Sequence, residues 1–335
     1  MYFEDHSAFC DKNINTGNMF LKIKTTMAIL IVDTGIILSQ QLPFSNQYLV
    51  NKQFLSSAYA GITGNFEAFI SYQKNALHFP GGPEYKSIFA SGPVYGNMSL
   101  GMSVSTSSVT IFNGFSAQLD YAYHLRVSEN QYIHFGLSAA YNENFVGIDN
   151  NQSYSVQNDP DVLKTCNSLN YGFGLIYSFK TFQIGMEIPR MLESKLRNSE
   201  TDASIYSQPD LLRIYSSCRL DIDQSFSFEP SVVVEKSDFE PLWYNVSILT
   251  SIKDITWIEL HYRQGNIMGF CLGVKPSKKM LLSCSYDLSG TGIMKYSSGI
   301  HEISIGFLIG KSKDQKYQRS AFRSLSKQPY YDWIK

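Results

Sequence analysis

From residue 61 to residue 309 polar and apolar side chains alternate with a period of two. In 116–127 one face carries Ala117, Leu119, Tyr121, Tyr123, Leu125 and Val127; the other carries Ser116, Gln118, Asp120, Ala122, His124 and Arg126. At 132–141, Ile133, Phe135, Leu137, Ala139 and Tyr141 oppose Tyr132, His134, Gly136, Ser138 and Ala140. Near the end Ile303, Ile305, Phe307 and Ile309 oppose Glu302, Ser304, Gly306 and Leu308. This is the period of a strand with one apolar face. It predicts about fourteen strands. They fall at 66–75, 85–94, 98–110, 116–127, 132–142, 169–179, 182–188, 211–222, 225–235, 242–251, 256–263, 267–275, 280–288 and 299–309.

The connections sort by length. Brief ones at 95–97, 128–131, 180–181, 223–224, 253–254 and 278–279 fall at every second position. Between them lie 76–84, 143–168, 189–210, 236–241 and 289–298, with 264–266 as the one short member expected in this second set. An outer-membrane barrel has this layout, with short periplasmic turns and longer external loops. In lipid every backbone N–H and C=O must be paired within the protein, so a β-chain there closes on itself. The expected fold is therefore all-β: a transmembrane outer-membrane β-barrel of about 14 antiparallel strands spanning 62–310, preceded by a short N-terminal periplasmic segment.

Composition agrees with this reading. Charged residues make up 17% of the chain, against roughly 25% in soluble proteins, and aromatic residues reach 14%. A mean hydropathy of -0.15 leaves no room for several helical spans of about 20 apolar residues. The net charge of -1 provides no basic field for nucleic acid. Residues 19–39 have the form of a secretory signal: Lys22 and Lys24, an apolar run at 27–38 broken by Asp33, then Ser39. This places the start at Met19 and leaves 1–18 outside the fold, so that 1–39 is an N-terminal extension plus signal peptide. Residues 40–61 then form either a plug or a plain lead-in to the first strand, with Ser45 as a helix cap and Tyr48, Phe54, Leu55 and Tyr59 as docking residues. Residues 311–335 form a basic periplasmic tail, with seven Lys or Arg against two Asp.

Candidate chemistry is sparse. Inward parity is assigned to Asp120, Arg126, Arg213, Arg219, Asp221, Glu229, Glu235, Glu259, His261, Arg263 and Glu302. Acids and bases are similar in number there, which favours an ion-pair network filling a closed lumen over a selective passage. A hydrolytic site built on Glu259, His261 and Asp120 or Asp221 lacks a nucleophile signature, so no enzyme and no cofactor is expected. No zinc spacing occurs, and Asp149, Asn150, Asn151, Asp159 and Asp161 lack a calcium-loop pattern, so no metal is expected. Strand parity puts Cys271 on the lumen face and Cys218 and Cys284 on the lipid face, with Cys166 near a loop base; disulfides are not expected.

Two stretches carry a family resemblance. Phe44-Ser45-Asn46-Gln47-Tyr48, followed by Leu55-Ser56-Ser57-Ala58-Tyr59-Ala60-Gly61, resembles the mature N-terminus of the PorP/SprF family of type IX secretion membrane proteins. Ser56-Ser57 stands where the family has Asn-Pro. At the far end, Tyr296 to Gly306 resembles the family's closing strand and includes His301 and Glu302. The resemblance implies an outer-membrane component that assists export or surface retention of a secreted cargo, such as a large adhesin of gliding motility, recognised through its C-terminal domain. Other type IX components and outer-membrane lipid would be its further partners. The loops at 143–168 and 189–210 offer Phe145, Tyr154, Met191, Leu192 and Tyr206 as partner-binding residues. The alternative is a FadL-like channel for a small solute.

Overall fold

The computed structural model describes residues 45–77, 81–146, 165–191, 195–198, 204–207, 210–223, 225–237, 241–289 and 298–309. The expected leader and tail, together with Phe44, Tyr154, Leu192 and the acidic residues at 149–161, lie outside them. The first wall runs through β1 (Phe66–Asn75), β2 (Glu84–Tyr95), β3 (Met98–Val109), β4 (Phe112–Ser128), β5 (Gln131–Val146), β6 (Cys166–Phe179) and β7 (Phe182–Ile188). Strands β8 (Lys195–Asn198) and β9 (Ser204–Ser207) form a hairpin. The wall resumes with β10 (Leu211–Cys218) and β11 (Leu220–Asp221), which make one stave interrupted at Arg219. It continues through β12 (Phe226–Ser237), β13 (Trp243–Ile252), β14 (Thr256–Arg263), β15 (Ile267–Ser277), β16 (Met280–Ser289) and β17 (Ile300–Ile309).

Each stave pairs antiparallel with the next, β7 passes directly to β10, and β1 pairs with both β2 and β17. The result is a closed barrel of 14 strands. Closure removes the sheet edge that lipid would leave unpaired. The parity read from the sequence holds except at Arg126 and Asp221, which are exposed. Leu119, Tyr121 and Ile303 are exposed on the lipid face, while Asp120, His124, His134 and Glu302 are buried within. All four described cysteines are free, with Cys271 buried and Cys284 exposed.

Three details of the expected layout change. Strand β4 begins at Phe112, so Thr110 and Ile111 form a second short external turn beside 264–266. Strand β5 extends to Val146, which places Phe145 on a strand and not in a loop. The connection expected at 189–210 contains the β8–β9 hairpin, and β8 pairs with the end of β6, Cys166 opposite Asn198. In each case ladder pairing carries strand structure past the point where the apolar alternation fades.

Candidate functional site

Residues 45–65 fill the lumen. Two short 3-10 helices, Lys52–Phe54 and Ser57–Tyr59, are joined by turns, and nearly every residue of the segment is buried. The caps are Asn51 and Ser56, whose side chains accept from the backbone N–H of Gln53 and Ala58. Ser45, the expected cap, instead accepts from Gln47 N–H at 3.2 Å and donates to Glu302 at 2.7 Å. The segment adds no strand to the sheet.

The first half of this plug hangs from charged and hydroxyl groups. Glu302 on β17 accepts from Ser45 and from Asn46 N–H at 2.9 Å, and its backbone carbonyl takes Gln47 at 3.3 Å. Ser283 on β16 donates to Gln47, and Arg263 on β14 donates to Asn46. Tyr48 places its hydroxyl 2.8 Å from both Ser231 and Ser247. Removal from water pushes this phenol well above its ordinary pKa, so it stays protonated. Lys52 reaches Glu229 at 2.8 Å and Gln183 at 3.4 Å. Behind these contacts Leu49, Val50 and Leu55 join Trp257, Leu249, Leu281, Phe69 and Val233 in one apolar cluster.

The second half lies close against the wall. Glu187 on β7 accepts from Ser56 at 2.6 Å and Ser57 at 3.2 Å. The two serines that depart from the family's Asn-Pro thus hold a buried carboxylate. Arg213 donates to the carbonyls of Phe54 and Leu55 at 2.8 and 3.0 Å and pairs with Glu235. Tyr59 packs on Tyr215 with ring centroids 5.6 Å apart. Room for the plug comes from glycine: a Cβ at Gly136 would stand 2.3 Å from Ala58 N, and one at Gly174 would stand 2.3 Å from Ser56 Oγ. The Ala60 carbonyl lies 3.0 Å from His124 Nε2, which must therefore carry the proton. His124 Nδ1 then accepts from His134 Nδ1–H at 2.9 Å, and His134 Nε2 accepts from Ser178 at 3.3 Å.

Most motif residues therefore belong to one construction. Gln47, Tyr48, Ala58, Tyr59, Ala60 and Gly61 are in the plug, and Glu302 is its anchor. His301 faces away from the lumen and bonds the Ser298 carbonyl at 2.9 Å. The hydrolytic grouping set aside from the sequence does not assemble either. His261 pairs with Asp287 at 2.8 Å, Asp120 takes Gln118 at 2.7 Å, and Asp221 is exposed and paired with Arg219. Arg126 is likewise exposed, outside the lumen network. Glu187 and Asp287 were not singled out from the sequence, although each stands at an inward position between apolar outward neighbours. Among the described residues no group of three or more His, Cys, Asp and Glu is arranged to hold a metal. Of the expected partner residues, Phe145 and Met191 are exposed and Tyr206 pairs with Leu196 across the hairpin.

These features define a class: an outer-membrane β-barrel whose lumen is occupied by its own N-terminal segment. The chain belongs to the type IX secretion system membrane protein PorP/SprF family, whose profile matches residues 37–307. It is therefore a component associated with type IX secretion in the outer membrane, and both family and fold point to that role and not to an enzyme. No curated protein matches the chain. Among solved structures it is similar to Omp33 of Acinetobacter baumannii at 8% identity and TM-score 0.46, over 74% of this chain and 100% of that one. It is also similar to the CymD monoaromatic hydrocarbon channel, at 10% and 0.49 over 82% and 96%. The P. putida toluene transporter TodX gives 8% and 0.45 over 80% and 95%.

Proposed function

We propose that this barrel assists the secretion or surface anchoring of an adhesin-like cargo by engaging the cargo's C-terminal domain at the external rim. The family match over 37–307 is the observation that carries the reading. A filled lumen supports it, since contacts with a large partner then fall to the rim, where loops vary freely above a rigid scaffold. Phe145, Tyr154, Met191, Leu192 and Tyr206 are the proposed grip, aromatic and apolar anchors of the kind that dominate interfaces. Deleting 150–159 is expected to leave a heat-modifiable barrel in the outer membrane while cargo disappears from the cell surface. Cargo displayed at the normal level by the shortened barrel would remove the loop from this role. The alternative, a FadL-like carrier, predicts uptake of a small hydrophobic solute by liposomes holding the wild-type barrel.

A further inference from the structure

The plug is held by side chains, and the wall around it is acidic. Asp120, Glu187, Glu229, Glu259, Asp287 and Glu302 face it from β4, β7, β12, β14, β16 and β17, each 5% exposed or less. Against them the surrounding wall places Arg213 and Arg263, and Arg213 is already paired with Glu235. The sequence balance of acids and bases is lost here because Arg126 and Asp221 stand outside the lumen network, while Glu187 and Asp287 stand in it.

The plug itself screens this charge. Lys52 neutralises Glu229, and the hydroxyls and N–H groups of Ser45, Asn46, Ser56 and Ser57 cover Glu302 and Glu187. Glu259 is the least compensated of them: it is 0% exposed, and beyond the neighbouring Ser247 hydroxyl neither of its oxygens has a hydrogen-bond partner of good geometry. Glu229, Asp287 and Glu302 are all near enough to repel it. An uncompensated buried carboxylate is costly, and packing alone gives no reason to keep one.

We propose that the plug is a gate, and that its withdrawal opens a passage selective for small inorganic cations. The segment can leave without breaking the barrel, because it pairs with no strand and is joined to β1 through 61–65, where Gly61 and Gly64 have φ of 61° and 70°. Once water replaces it, the carboxylates of the wall regain hydration. A lumen lined mainly by one sign then concentrates cations, Glu259 gains mobile counter-ions, and chloride is excluded. This inference is independent of the cargo reading, since it concerns the interior and not the rim.

The test uses the full chain in planar bilayers under a KCl gradient. Wild type is expected to be closed. Lys52→Glu, which sets a second acid against Glu229, and Gly136→Val, which intrudes on the Ala58 backbone, should each release the plug, scored by cleavage after residue 52, with trypsin for Gly136→Val and with a glutamate-specific endopeptidase for Lys52→Glu. Both should then conduct, with K⁺ preferred over Cl⁻ by about tenfold. Adding Glu229→Gln and Glu302→Gln to Gly136→Val should cut that preference several-fold. Four results overturn the proposal: a released plug without conductance, conductance without cation preference, folded variants that never release the plug, or a wild-type barrel that is steadily open.

Discussion

On the β3–β6 side of the lumen the plug lies directly against glycines, whereas on the β12–β17 side it is suspended from charged and hydroxyl side chains. The first wall provides shape. Gly136 and Gly174 let Ala58 and Ser56 approach to distances that no Cβ would tolerate, and the buried Ala122 and Ala140 continue the smooth surface. The second wall provides direction, because Glu302, Arg263, Ser283, Ser231 and Ser247 each take a particular polar atom of residues 45–48. Shape fails abruptly when a methyl group is added. Directional bonds fail one at a time. The plug therefore has one edge sensitive to volume and another sensitive to chemistry.

The largest expected effect comes from the smooth wall. Gly136→Val places side-chain carbon where Ala58 N stands, and overpacking of this kind costs about 3 kcal/mol. The plug should leave its seat, and residue 52, protected in wild type, should become a trypsin site while the barrel stays heat-modifiable. Retained protection would mean that the wall moves instead. On the charged wall Glu302→Ala strands the Ser45 hydroxyl and the Asn46 N–H, a loss of about 2 kcal/mol for buried donors to a charged acceptor. Relief of the repulsion with Glu259 and Asp287 offsets part of it, so urea unfolding should show a smaller shift than Gly136→Val. A Glu302→Ala shift equal to or above that of Gly136→Val would reverse the ranking of the two walls. Tyr48→Phe is the mildest change. Ser231 and Ser247 lie 2.8 Å apart and can satisfy each other, so the expected loss is about 1 kcal/mol in the same assay.

The candidate site was half visible in the chain. Glu302 and Glu259 stand at inward positions in strands whose parity is plain, so that they face the lumen follows from alternation alone. Glu187 and Asp287 carry the same signal, a single carboxylate between outward apolar neighbours, and counting them would have shown the interior to be acidic. What no local pattern contains is their partners. Ser45 reads as a helix cap because its neighbours look like a helix start, yet its hydroxyl is used on Glu302, 257 positions away in sequence. Ser56 and Ser57 read as a departure from a family motif, and only their contact with Glu187, across 131 and 130 positions, explains what they hold.

The sequence by itself determined the staves, the face each presents to lipid, and the need to close, because a two-residue period and an apolar solvent leave few other ways to pair the backbone. It also determined the family, through motifs at both ends. Tertiary structure alone decided whether residues 45–65 merely precede the barrel or fill it. The difference rests on glycines in β5 and β6 and on acids in β7, β12 and β17, groups brought together only when β1 meets β17. Their spacing along the chain has no period, since a lumen gathers one or two side chains from each stave and the order of those staves around the plug is fixed by closure.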